Sequence, residues 1–207
     1  MKQTPEKADA TRRKLLDAAA EVFSRCGFAA SRLEDIAREA GVTRGAIYWH
    51  FTNKQDLLRN LMQQRTARIS EKLKAIYLSE LPPVQKLRHL LQASLLNLET
   101  DSDYRSGMHL ALSFGAAEEQ IELMALRRHQ HIQLIIDLLE KLLQECARAG
   151  ALHPEVTPAL AARALFAWFD GTAGLWLRTA NHPVISLADQ GNALVEIMLR
   201  GIINENE

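Results

Sequence analysis

The chain has 207 residues, enough for one small domain and one of ordinary size, and 47% of them are hydrophobic, which excludes a disordered chain. Its 25 basic and 25 acidic residues cancel, yet residues 1–60 carry 11 Lys+Arg against 8 Asp+Glu, a mildly basic head that suits a polyanion partner. Cys26 and Cys146, far apart and outside any C-x-x-C pair, read as reduced, buried thiols of a cytoplasmic protein. No apolar run approaches the ~20 residues that span a bilayer, and the polar start lacks a signal-peptide core, so the expectation is a soluble, unexported protein with no membrane partner.

Nearly every segment reads as helix, so the expected fold class is all-α. The first helix runs from about Ala8 to Arg25, with Leu15, Leu16, Ala19, Val22 and Phe23 on one stripe and Gly27 as its C-terminal glycine. Ser31 and Glu34 have capping-box spacing, which predicts a short second helix from Arg32 with Leu33, Ile36, Ala37 and Ala40 inward. Gly41 stops it. Thr43 caps a third helix, Arg44–Phe51, whose buried pair is Ile47 and Phe51, and Thr52-Asn53 introduce a fourth from Lys54 to about Ser79. Further helices are expected at about Pro83–Glu99, Tyr104–Phe114, Glu118–Ala149, Pro158–Thr179 and Leu187–Asn204. Punctuation falls at Gly115, Gly150, Pro154, Pro158 and Asn181-His182-Pro183.

Two short helices around a glycine turn, after a longer first helix, make a helix-turn-helix. With Ile47 and Phe51 turned inward, Arg44, Gly45, Ala46, Tyr48, Trp49 and His50 are left outside. A soluble domain has no structural reason to expose tyrosine and tryptophan together. A DNA reader does: hydroxyl and indole N–H reach phosphates or base edges, and the rings meet sugar or thymine methyl. Gly45 and Ala46 let the helix lie deep in a groove, and Arg44 at its start is placed for a guanine. The competing readings are Tyr48 packed at a domain seam and Lys54 as an ordinary solvated lysine. His50 has no second metal ligand within helical reach.

The stretch Gly27-Phe28 through Leu33-Glu-Asp-Ile-Ala-Arg-Glu-Ala-Gly-Val-Thr-Arg-Gly-Ala-Ile-Tyr-Trp-His-Phe51-Thr-Asn-Lys54 resembles the DNA-binding domain of TetR-family repressors. Its centre, Gly41 to Phe51, is similar to the AcrR- and TtgR-like branch that represses multidrug efflux pumps. The resemblance implies an all-helical homodimer of about nine helices. Residues 1–53 would form the helix-turn-helix DNA-binding domain and residues 54–207 a helical ligand-binding and dimerisation domain. It implies phosphate contacts from Thr43, Tyr48 and Lys54, and base contacts from Arg44, Gly45, Ala46, Trp49 and His50. Arg32 stands where relatives often carry a small hydroxyl residue and adds a candidate phosphate contact. Glu34, acidic beside the DNA face, is assigned to capping rather than readout.

In the larger domain, the helix from Pro158 is apolar almost all round. Ala164, Trp168, Gly171 and Leu175 share one face; Phe166, Phe169, Asp170, Ala173 and Leu177 share the other. A helix greasy on both sides is buried on both, one side against its own domain and the other against a second subunit. The last helix adds Leu187, Gly191, Leu194, Met198 and Ile202. Two helices from each subunit make a four-helix interface, where the resemblance also places the family's dimer contact. The alternative is that both stripes are intramolecular core. The resemblance implies a cavity for a hydrophobic small-molecule inducer, with candidates Leu91, Leu95, Met108, Leu112, Ile136, Leu139, Phe166, Phe169 and Asp170. Asp170 among apolar neighbours needs a partner: a base such as Arg127, Arg128 or Arg163, water, or the ligand itself.

Enzyme signatures are missing: the sequence has no phosphate-cradling glycine loop, G-x-S-x-G or H-E-x-x-H, and His129 and His131 cannot share a helical face. No cofactor or metal is expected. The reading is a ligand-responsive repressor bound to double-stranded operator DNA, controlling an efflux-pump operon and released by drug-like compounds. The alternatives are a regulator of a metabolic operon, a helical enzyme with an accessory DNA-binding-like domain, and a dimeric adaptor that binds no DNA.

Overall fold

The structure, a computed structural model, describes residues 5–113, 122–180 and 182–204. Phe114, Gly115, residues 118–121 and Asn181, where helix ends and breaks are expected, lie outside them. Among the described residues nine helices follow one another: α1 Pro5–Ala30, α2 Leu33–Glu39, α3 Arg44–His50, α4 Lys54–Tyr77, α5 Pro83–Thr100, α6 Ser102–Ser113, α7 Glu122–Arg148, α8 Pro158–Arg178 and α9 Leu187–Leu199. The described residues form no strand; Leu152 and Ile203 make one isolated antiparallel bridge.

The chain divides into two compact units, residues 1–68 and 69–207. The sequence reading begins the second domain at Lys54. The first turns of α4 instead belong with the smaller unit, because Leu57, Leu58 and Leu61 are fully buried there beside Leu15, Leu16, Ile36, Ile47 and Phe51. The apolar stripe of α1 and the inward positions Leu33, Ile36 and Ala37 are buried as their spacing requires, while Ala40 is half-buried.

Two glycines shape this unit. Gly41 has φ 66°, a left-handed conformation that strains any side chain. The Val42 N–H reaches the Ala37 carbonyl (2.9 Å) and the Gly41 N–H the Arg38 carbonyl (3.1 Å), a Schellman stop. Gly27, at φ 75° and ψ 165°, does not end the first helix as expected; helix resumes beyond it to Ala30, and Gly27 is a kink. The capping box is also corrected. Arg32 is the N-cap of α2 and contributes no side-chain bond, while the Ser31 hydroxyl points back and donates to the Phe28 carbonyl at 2.7 Å.

In the larger unit α5 is central and packs on α6, α7, α8 and α9. At Gly191, α9 lies against α5 at ordinary packing distance, since a Cβ there would meet Leu95 Cβ at 3.6 Å, and Arg88 clamps Glu196 through two bonds of 2.8 and 3.2 Å. Thr157 and Ser186 cap α8 and α9. The last helix stops at Leu199, short of the expected Asn204. The tail turns back, His153 N–H donating to the Ile202 carbonyl and Asn204 N–H to that of Ala151, both at 2.9 Å. No helix in the described residues is long and apolar enough to cross a membrane.

Candidate nucleic-acid interface

The reading helix α3 is built from its start. Thr43 Oγ1 accepts from the Ala46 N–H at 3.3 Å, fixing the first turn, and Ile47, fully buried, fixes the helix's rotation. That rotation leaves the rest of the helix facing out. Trp49 is 69% exposed and Tyr48 45%, with Arg44 and Gly45 exposed and Ala46 and His50 half-exposed. A Cβ on Gly45 would meet nothing within 4 Å, so this side of the helix is open. Arg32, also exposed, stands at the start of α2.

The aromatic pair is ordered by its own contacts. Trp49 meets the His50 ring edge-on at 4.6 Å. Burial, and second the nearby charge of Arg12, hold the His50 imidazole below its ordinary range, so the ring is neutral at pH 7. A neutral imidazole has one N–H donor and one acceptor to offer a base edge. The Arg44 guanidinium lies over the Tyr48 ring, 5.7 Å from its centre.

Glu34 has a role that capping-box spacing hid. Its Oε1 accepts from the Tyr48 hydroxyl at 3.1 Å and pairs with Arg44 Nη2, also at 3.1 Å. The carboxylate on α2 therefore joins two of the candidate DNA-contacting residues on α3.

Lys54, for which the resemblance implies a phosphate contact, is engaged within the head: its ammonium donates to the carbonyls of Phe28 (2.6 Å), Ala29 (3.2 Å) and Ser31 (2.9 Å). It also sits 4.4 Å from the centre of the Phe28 ring. An ammonium has three protons, and all three are committed. Lys54 thus satisfies carbonyls left open where α1 ends, and ties that end to the start of α4.

The remaining sequence-derived residues lie in the larger unit. Leu91, Leu95 and Leu139 are buried in its core, and Met108, Leu112, Ile136, Phe166 and Phe169 pack half-buried against it. Asp170 is half-buried on α8 with no hydrogen bond or ion pair among the described residues. Arg163 is not its partner, since that guanidinium donates to the Ala159 carbonyl of its own helix at 3.0 Å; the side chains of Arg127 and Arg128 lie outside the described residues. On α8 the outward face holds Ala164, Trp168, Gly171 and Leu175 together with Leu160, which the sequence reading missed although it lies one turn before Ala164. On α9, Leu194 and Met198 are half-exposed beside Ile197, 67% exposed and also missed. Ile202 is corrected. It is only 6% exposed and buried in its own unit's core, because the chain leaves the helix after Leu199. Cys146 is buried as expected, with burial first and Glu145 next pushing its thiol up to about 11, but Cys26 is exposed.

A glycine-turned helix pair presenting a basic, aromatic helix defines a DNA-reading head. The family profile for bacterial regulatory proteins of the tetR family matches residues 15–61, which span these helices. The chain is 33% identical over 189 residues to the HTH-type transcriptional regulator TtgR of Pseudomonas putida, covering 86% of this chain and 85% of that protein. Among solved structures, it superposes on NalD of Pseudomonas aeruginosa, the secondary repressor of the MexAB-OprM multidrug efflux pump, with a TM-score of 0.78. The identity there is 30%, with 97% of this chain and 100% of that one covered. A SmeT–triclosan complex gives 0.81 at 27% identity over 95% and 93% of the two chains. The chain belongs to the tetR family of bacterial transcriptional regulators and, like those relatives, is a regulator rather than an enzyme.

Proposed function

We propose that this protein is a ligand-released repressor of an efflux-pump operon, acting as a homodimer on DNA in the cytoplasm. The observation that carries the reading is the outward face of α3, where Arg44, Tyr48 and Trp49 stand exposed on a helix fixed by one buried isoleucine. Two such helices enter successive major grooves of a pseudo-palindromic operator. Arg44 reads a guanine, Trp49 and His50 with Gly45 and Ala46 line the base edges, and Thr43, Tyr48 and Arg32 hold phosphates. Dimerisation uses the outward faces of α8 and α9. The apolar residues of α5 to α8 around Phe166, Phe169 and Asp170 receive a hydrophobic compound. Triclosan bound by a structurally similar protein supports that chemistry, and the efflux pump controlled by NalD supports the target. The compound releases DNA by preferring a spacing of the two heads that does not fit the grooves.

The test is the affinity of the protein for single-base variants of a duplex it has selected, with and without Arg44→Ala. Wild type should discriminate at one position per half-site by roughly 1–3 kcal/mol, and the variant should lose that discrimination. Unchanged relative affinities would remove Arg44 from base reading.

A further inference from the structure

We propose that Glu34 is a specificity residue of the reading head: its charge sets Arg44 against phosphate, so that duplex of arbitrary sequence binds weakly while a guanine edge can still engage Arg44. The inference rests on the DNA-reading function proposed above. One oxygen, Oε1, accepts from the Tyr48 hydroxyl at 3.1 Å and lies in an ion pair with Arg44 Nη2, also at 3.1 Å. A phosphate that approaches Arg44 sits beside the carboxylate whichever N–H it takes, two like charges at close range, whereas a neutral base edge meets no such repulsion. Sequence-independent affinity comes almost wholly from phosphate neutralisation, so that penalty falls first on binding to arbitrary DNA.

A guanine asks for something different. Its O6 and N7 are neutral acceptors side by side, and they take two N–H groups from one edge of a guanidinium. Arg44 has five N–H donors, and Glu34 holds it only as an ion pair at Nη2, 3.1 Å away. Glu34 can therefore keep its hold on Nη2 while the rest of the fork meets the base. The placement of the guanidinium over the Tyr48 ring, 5.7 Å from its centre, steadies that fork. The carboxyl stays ionised throughout the physiological range: its own backbone N–H first, then the Tyr48 hydroxyl, hold it below the ordinary value.

The discriminating variant is Glu34→Gln, which keeps the shape and an acceptor for Tyr48 but removes the charge. The probes are the duplex that the wild-type protein enriches from a randomised pool and a scrambled duplex of the same bases. Releasing one cation to one phosphate should steepen the salt dependence on the scrambled duplex by about 0.9 and tighten binding there by about eightfold at ~0.1 M salt. The enriched duplex should gain less, so the specificity ratio falls. In an Arg44→Ala background the same substitution should lose most of its effect, because the carboxylate acts through Arg44. Equal gains on both duplexes, no gain on the scrambled one, or a full effect without Arg44 would each overturn the proposal. Failure of wild type to enrich any sequence would overturn the DNA-reading function itself, and is distinguishable because it appears before any variant is made.

Discussion

Lys54→Met removes the ammonium and keeps most of the stem. The structure places three charge-assisted bonds, to the carbonyls of Phe28, Ala29 and Ser31, on that one group, with a ring contact to Phe28. A hydrogen bond to a charged group contributes about 1.5–3 kcal/mol net. These three share one charge, and water can reach part of the site, so they do not sum. Adding about 0.5 kcal/mol for the ring contact gives a loss of about 2–3 kcal/mol. Local opening of residues 28–36 should then become about 30- to 150-fold more frequent. Hydrogen exchange of peptides covering those residues reads this directly. At a temperature where the head stays folded, the salt dependence of duplex binding should not change. If exchange at 28–36 is unaltered while the salt slope flattens by about 0.9, Lys54 is a phosphate contact and the capping argument is wrong.

Gly171→Phe should leave the protomer folded, since a Cβ there meets nothing within 4 Å of its own chain, but should split the dimer by overpacking; a variant that sediments as an undisturbed dimer would move the interface elsewhere. Ile202→Ala should lower stability by about 2–5 kcal/mol in urea unfolding, in keeping with a core position, and a change confined to dimer dissociation would contradict its burial. Burial lowers His131, as it does His50, so the unfolded chain binds protons at a higher pH than the folded one. Stability should therefore fall as pH drops below about 6.5, and His131→Gln should weaken that dependence in melts taken across pH 5 to 8. Asp170→Asn should keep the dimer and its DNA affinity but lose response to cationic hydrophobic compounds more than to matched neutral ones; equal loss would return Asp170 to a structural role.

The architecture of the head was legible because its signals are local. Three-to-four spacing marked Leu15 through Phe23, Gly41 marked the turn, and the Ile47–Phe51 pair set the rotation of α3 and so exposed Tyr48 and Trp49. What escaped the sequence was non-local. Lys54 reaches a helix end more than twenty residues back, and no spacing rule links it to the Phe28 carbonyl. Ser31 and Glu34 match a capping box, yet Ser31 donates backwards and Glu34 is drawn across to α3 by Arg44 and Tyr48. Ile202 fits the apolar stripe of α9 only if the helix continues; the pairing of the tail with residues 151–153 ends it first and turns Ile202 inward. Leu160 and Ile197 were within reach, since each extends a stripe already drawn by a single helical step.

The central claim, that two copies of α3 read DNA as a symmetric pair, is tested most directly by sequencing what the wild-type protein enriches from a randomised duplex pool. The account predicts two inverted half-sites with centres about one helical turn, or a whole multiple of it, apart. Each should contain a guanine whose replacement is tolerated by Arg44→Ala but not by wild type. Enrichment of no sequence, or of a single site without two-fold symmetry, would contradict it.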